Sequence, residues 1–290
     1  MARLVMLTKG TSRYPLEIIA GLERNDLKLD AIIRCSAEIV GTWSRLRRDM
    51  RKRGVLRAGL SLGKDILLGI NGAATKTGGH GSHGDNWKLQ THPAQYFENV
   101  PFNSDELVNL IRSLETDVLI LGGIGIVKQP TLSAPKIGTL NVHPGLLPFF
   151  RGVGVVGRAV LHNFPIGVTC HFVNAGIDTG PILTRRLVPA ERSEITLAAV
   201  QQRAMETCAM EMVDVIQRIV SGQPPPPLEQ SERFPMSKWL DAAENAEVEQ
   251  RLVRGMAVKQ FEVWRGRDLS TLQAPSTWPA VNRTSPQSQF

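Results

Sequence analysis

The stretch TDVLILGGIGIV, residues 116–127, constrains this chain more than any other. From Val118 it is apolar without alternation, and Gly122 and Gly123 stand where the apolar run breaks. A short continuous apolar run fits a parallel strand covered on both faces, because each face must then be apolar. The glycines let another group approach the backbone at the strand's carboxyl end, where open α/β sheets bind ligands. Gly122-Gly123-Ile124-Gly125 lacks the full G-x-G-x-x-G order and the acid expected further on, so a tight strand-to-loop turn is preferred over a nucleotide fingerprint.

The flanking segments fit the same sheet. ARLVMLT (2–8) and LDAIIRCS (29–36) read as strands, and YPLEIIAGLERND (14–26) places Leu16, Ile19 and Leu22 on one helical stripe. Asn103-Ser-Asp-Glu106 is a helix start leading into LVNLIRSLE. Strands should follow at 137–147, 166–176 and 181–189, with a helix at 153–163 and a long one within 193–222. The fold class expected is α/β, a mostly parallel Rossmann-like sheet with helices on both faces. Pro224 to Pro227 end the main unit, giving a first domain over 1–222 and a Pro-rich linker over 223–236. A small C-terminal appendage takes 237–290, with a helix at 238–255, a strand at 259–266, and poor order from about 269.

At 290 residues, 42% apolar and 21% charged, this is the composition of a water-soluble globular protein. Met1-Ala-Arg leads straight into a strand-like stretch, so neither a signal peptide nor a membrane anchor is expected. Cys35, Cys170 and Cys208 are scattered without a C-x-x-C, which argues against a disulfide framework or zinc site and fits a reducing cytoplasm. The net charge is +7, of which RLRRDMRKRGVLR at 45–57 contributes +6. That is a local basic face on a nearly neutral chain. His80 and His83 lie in the glycine-rich stretch 70–86, which offers no rigid ligand geometry, so a surface loop is expected and no metal.

LNVHPGLLP (140–148) carries Asn141 and His143 two apart at the end of a strand, on one face. Asp178 lies in the turn Ile177-Asp178-Thr179-Gly180 after a later strand. Taken singly, an Asn at a strand end and an Asp-Thr-Gly are ordinary turn formers. Together, an amide donor and an imidazole can aim at an oxygen gaining charge while a carboxylate orients the ring and carries a proton. The trio suits attack of an amine on a carbonyl, since no Ser or Cys nucleophile accompanies it. His162 and His171 are expected to be structural, with a place for His171 on the acceptor side, from its alternating strand, as the lesser reading.

Asn141-x-His143, Leu146-Leu147-Pro148, Arg151-Gly152, Gly167-Val168-Thr169 and Gly176-Ile177-Asp178-Thr179-Gly180 together resemble the 10-formyltetrahydrofolate-dependent formyltransferases. That family includes glycinamide ribonucleotide transformylase, methionyl-tRNA formyltransferase and sugar N-formyltransferases. The resemblance is densest over 117–190 and fades by about Gln230. It implies that Asn141 and His143 bind the formyl oxygen, and that Asp178 holds His143 and relays the amine's proton. It further implies that Ile124, Gly125, Ile126 and Val127 wrap one side of the pterin of 10-formyltetrahydrofolate, the formyl donor, and that Gly176 and Ile177 lie on its other side. No metal is implied. Gly145 stands where many members have Ser, and Asn174 replaces a frequent acid.

The acceptor is expected to be a small-molecule amine, with a nucleotide-linked amino sugar as the best reading. Alternatives are a hydroxyornithine-type siderophore precursor, glycinamide ribonucleotide and methionyl-tRNA, the last supported by the basic stretch. A folate-binding module without activity is the alternative of another class. The resemblance leaves a homodimer open.

Overall fold

The structure, a computed structural model, describes residues 2–10, 12–36, 95–193, 195–230 and 234–274. The basic stretch 45–57, the glycine-rich stretch 70–86 and the last residues of the tail lie outside the described residues.

The element order is β1 (Leu4–Thr8), α1 (Arg13–Arg24), β2 (Ala31–Ser36), β3 (Gln95–Pro101), α2 (Asp105–Ser113), β4 (Val118–Leu121), α3 (Gln129–Leu132) and β5 (Gly138–His143). It continues with β6 (Arg151–Gly152), α4 (Val155–Leu161), β7 (Gly167–Phe172), β8 (Ile182–Leu187), α5 (Leu197–Val220), β9 (Met236–Ser237), α6 (Ala242–Val253) and α7 (Met256–Trp264). Seven strands form one sheet in the order β3-β2-β1-β4-β5-β7-β8. All neighbours from β3 to β5 are parallel, whereas β5–β7 and β7–β8 are antiparallel.

Alternate residues of each central strand face opposite layers, which is why these runs are apolar throughout. Leu4 and Met6 of β1 and Ile120 of β4 join a core with Ile18 and Leu22 of α1 and Met212 and Ile216 of α5. Val5, Leu7, Leu119 and Leu121 face the other way, against Leu107 and Ile111 of α2. Helix α2 starts where its sequence signal lies, with the Leu107 N–H donating to Ser104 Oγ at 3.1 Å.

The segment after the prolines returns to the sheet. Leu228 exchanges backbone hydrogen bonds with Ile182 at 2.7 and 2.8 Å, and β9 pairs in parallel with β6. Asp241 and Glu244 form a capping box at the start of α6, and Glu244 also receives both terminal nitrogens of Arg158 on α4. From the far end of α6, Arg251 Nη1 donates to the Leu161 carbonyl at 2.7 Å, satisfying the last turn of α4. Val248, Leu252, Met256 and Ala257 are buried in the same cluster as α1 and α5.

The strand expected at 259–266 is instead part of α7. Lys259-Gln-Phe-Glu-Val-Trp alternates locally, but Ala257, Phe261 and Trp264 also recur at helical spacing. Gly255, at φ 77°, turns the chain between α6 and α7, and Met256 and Ala257 then dock into the core, so packing decides for the helix. No helix of the described residues is long and apolar enough to cross a membrane.

Because Leu252 is 2% exposed within that shared cluster, Leu252→Ala should cost about 2–4 kcal/mol. Urea unfolding should remain a single transition at a lower midpoint. Loss of helical signal from α6 and α7 ahead of the sheet would show instead that the two parts do not share a core.

Candidate functional site

The site forms at the end of β5, where the sheet changes from parallel to antiparallel. Asn141 is paired across the ladder with His171 of β7, and His143 with Thr169. Both histidines are buried, at 4% and 1% exposure. Asp178, from the loop after β7, reaches both: its Oδ2 lies 3.5 Å from His143 Nδ1 and its Oδ1 lies 3.8 Å from His171 Nε2. The structure therefore brings Asn141, His143 and Asp178 together, with His171 as a fourth member.

The hydrogen bonds assign the tautomers. His143 Nε2 lies 2.7 Å from the Phe150 carbonyl, an acceptor only, so this nitrogen carries the proton. In the neutral ring Nδ1 is then bare and faces a carboxylate oxygen. Likewise His171 Nδ1 donates to the Phe172 carbonyl at 2.8 Å, leaving Nε2 to accept from Asn141 Nδ2 at 3.2 Å. One amide N–H of Asn141 is thereby held and the other is left to donate. The ring of His143 is oriented by Phe150 rather than by Asp178, so the gap between His143 and Asp178 is lined by two acceptors and can receive a proton.

Burial pushes the His143 imidazole below its ordinary value against the opposing pull of Asp178 and of the Phe150 hydrogen bond. Burial likewise lowers His171, to about 4, so its ring is neutral near pH 7.

Asp178 sits at φ 53° in a turn clamped from three directions. The Gly152 N–H donates to Oδ2 at 2.9 Å, and Arg151 Nη2 donates to the Ile177 carbonyl at 2.7 Å. Gln230 Nε2 reaches the Gly180 carbonyl at 2.6 Å and that of Asp178 at 3.2 Å. Asn174 Oδ1 accepts from the Gly176 N–H at 3.1 Å and from Thr179 Oγ1 at 2.6 Å. An amide thus does locally what an acid in its place could do.

Of the residues expected around a pterin, Ile124 to Val127 follow β4 and Gly176 and Ile177 follow β7, the two strands flanking β5. The first loop is fixed by Asn103, whose side chain donates to the Ile126 carbonyl at 3.0 Å and accepts from the Lys128 N–H at 2.8 Å. Ile126 is 71% exposed and Val127 is buried. One is open to solvent while the other anchors the loop.

Gln230 and the Phe150 carbonyl are site members that sequence reasoning did not single out, and His171, expected to be structural, joins them through Asn141 and Asp178. Only His171 had a signal, two residues after Thr169 on an alternating strand. Gly145 gains an explanation here. A Cβ at this position would lie 2.8 Å from the Phe150 carbonyl oxygen and 2.9 Å from His143 Nε2. No side chain fits without displacing the bond that orients the ring.

Two outcomes follow from this geometry. Gly145→Ser should destabilise by about 1–3 kcal/mol in urea unfolding and shift the His143 ring resonances in NMR spectra; unchanged resonances would dissociate Gly145 from the ring. The second concerns pH. A histidine lowered in the folded state contributes stability that is complete above about 6.5 and is lost as pH falls towards 4, because the unfolded chain binds the proton more readily in that window. Wild type should therefore lose more stability between pH 7 and pH 5 than His171→Gln does, and parallel losses would refute this coupling.

The comparisons with known proteins bear on the family and the fold. A family model described as Formyl transferase matches residues 71–216. A methionyl-tRNA formyltransferase from Thermosynechococcus vestitus is 31% identical over 185 residues, covering 61% of this chain and 54% of that protein. The chain thus spans about half the length of the curated relatives it matches. A glycinamide ribonucleotide transformylase 1 from Symbiobacterium toebii is similar in structure at TM-score 0.50 and 21% identity, covering 79% of this chain and 95% of that one. A 4-N formyltransferase from Francisella tularensis is similar at TM-score 0.52 and 14% identity, covering 86% and 87%. At these identities the two structures show a shared fold alone. The family match extends over half of the sequence and contains Asn141, His143 and Asp178, and the chain belongs to the formyl transferase family.

Proposed function

We propose that this protein transfers a formyl group from 10-formyltetrahydrofolate to the amine of a small molecule, with a nucleotide-linked amino sugar as the acceptor. The observation that carries the reading is the cluster of Asn141 and Asp178 with the buried His143 and His171 at the end of β5, inside the family match. The amine nitrogen attacks the formyl carbon, a C–N bond forms, and the carbonyl π electrons move onto oxygen. The free N–H of Asn141 donates to that oxyanion. The amine's proton enters the slot between His143 Nδ1 and Asp178 Oδ2, and a protonated His143 then favours the oxyanion through its positive charge, both of its N–H groups being engaged by Phe150 and Asp178. Collapse of the intermediate breaks the bond to N10 of the folate, which leaves with the proton held in that slot. Ile124 to Val127 on one side, and Gly176 with Ile177 on the other, would hold the pterin.

Methionyl-tRNA is the second reading, supported by the curated relatives of that name and by the basic stretch 45–57. A screen of amines that includes methionyl-tRNA, incubated with 10-formyltetrahydrofolate and read by mass spectrometry for one added formyl group, separates the acceptors. In that screen His143→Ala and Asp178→Ala should each lose turnover by at least about a hundredfold while still binding folate. Near-normal rates in either variant would remove the assigned roles. Folate binding by the wild type with no formylation of any amine would leave only a binding module.

A further inference from the structure

A cavity of about 620 Å³ lies between β8, the last strand of the seven-stranded sheet, and the end of α7. None of Asn141, His143, His171 and Asp178 lines it. Three guanidinium groups do: Arg185 from β8, and Arg265 and Arg267 from the turn after α7. Arg186 also borders the cavity, but Glu211 and Asp214 of α5 already claim its side chain. Arg185 Nε donates to the Leu147 carbonyl at 2.8 Å, which fixes the guanidinium plane. Its two terminal nitrogens have no hydrogen-bond partner among the described residues, and neither has the Arg265 side chain. Arg267 lies against Trp264, with Cζ 5.6 Å from the ring centroid.

The acid in the cavity does not cancel these charges. Asp268 is the one acidic residue among the described lining, so three positive charges face one negative. Its carboxylate is engaged by Ser270, accepting from the N–H at 2.8 Å and from Oγ at 2.7 Å, and it forms no ion pair with the three arginines. Burial pushes the Arg185 guanidinium below its ordinary value with Asp268 opposing, so a further anion beside it would favour the charged form. Like charges gathered in one cavity repel, and an anion relieves that repulsion. Guanidinium forks match the oxygens of a phosphate group in pairs. Phe261 and Trp264 add an apolar wall, and the volume falls within the roughly 300–1,000 Å³ of small-ligand pockets.

We propose that this cavity is a second binding site, taking a small ligand through a phosphate or diphosphate group held by Arg185, Arg265 and Arg267, with Phe261 and Trp264 as its apolar wall. It stands apart from the formyl-transfer reading, because binding here is measured with neither folate nor an amine present.

Pyrophosphate and adenosine diphosphate serve as probes by calorimetry on the full chain. Arg265→Gln/Arg267→Gln removes two charges from exposed side chains of the cavity. Lys28→Gln/Arg112→Gln removes two from exposed side chains that do not line it. Pyrophosphate should bind the wild type at one site, lose at least about tenfold in affinity in Arg265→Gln/Arg267→Gln, and keep its affinity in Lys28→Gln/Arg112→Gln. Tighter binding of adenosine diphosphate than of pyrophosphate, lost in the same variant, assigns a ring-bearing ligand; equal affinity assigns the phosphate groups alone. Absence of binding of both probes to the wild type, unchanged affinity in Arg265→Gln/Arg267→Gln, or an equal loss in the control variant overturns the proposal. So does a loss of methionyl-tRNA binding in Arg265→Gln/Arg267→Gln with none for pyrophosphate, which would make this face an RNA contact. Conversion of a dimer to a monomer by that variant in sedimentation also overturns it, in favour of a subunit contact.

Discussion

Strand β5 is where two kinds of sheet meet, and the rest of the site depends on that junction. On one side its neighbour β4 is parallel, and on the other β7 is antiparallel. Parallel order gathers the carboxyl ends of β1, β4 and β5 and their loops at one edge. Antiparallel order places β7 residues directly opposite Asn141 and His143, close enough for side-chain contact. Neither arrangement alone would surround one strand end with loops on one flank and a cross-strand imidazole partner on the other.

Burial is what gives the polar cluster its character. Both imidazoles are lowered chiefly because they are removed from water, and each is satisfied by a backbone carbonyl that also fixes its tautomer. A buried ring with one nitrogen committed to a carbonyl has only its other nitrogen available for chemistry. The groups that keep Asp178 in reach of those nitrogens come from distant parts of the chain, with Gln230 standing 52 residues beyond it.

Much of this was legible in the sequence, for reasons that differ by element. The Val118–Leu121 strand was readable because coverage on both faces leaves no room for alternation, and Asn141 with His143 because a spacing of two fixes a shared face. Asp178 was found through a motif, not through any local pattern that predicts its distance to His143. What was missed rests on tertiary contacts. A backbone carbonyl such as that of Phe150 has no sequence signature, and Gln230 follows a proline run that carries no periodicity. The Met256–Trp264 helix was misread because six residues of apparent alternation cannot be weighed against docking that only the folded core supplies.

The cross-strand pairing of Asn141 with His171 and of His143 with Thr169 ties the chemistry to the ladder itself. A slip of one residue between β5 and β7 would turn the amide and the imidazole together onto the opposite face, and would set Leu140 and Val142 in their place. No intermediate alignment keeps half of the constellation. The candidate site is in this sense a gauge of strand registration: a misaligned sheet, however well hydrogen-bonded, would be silent.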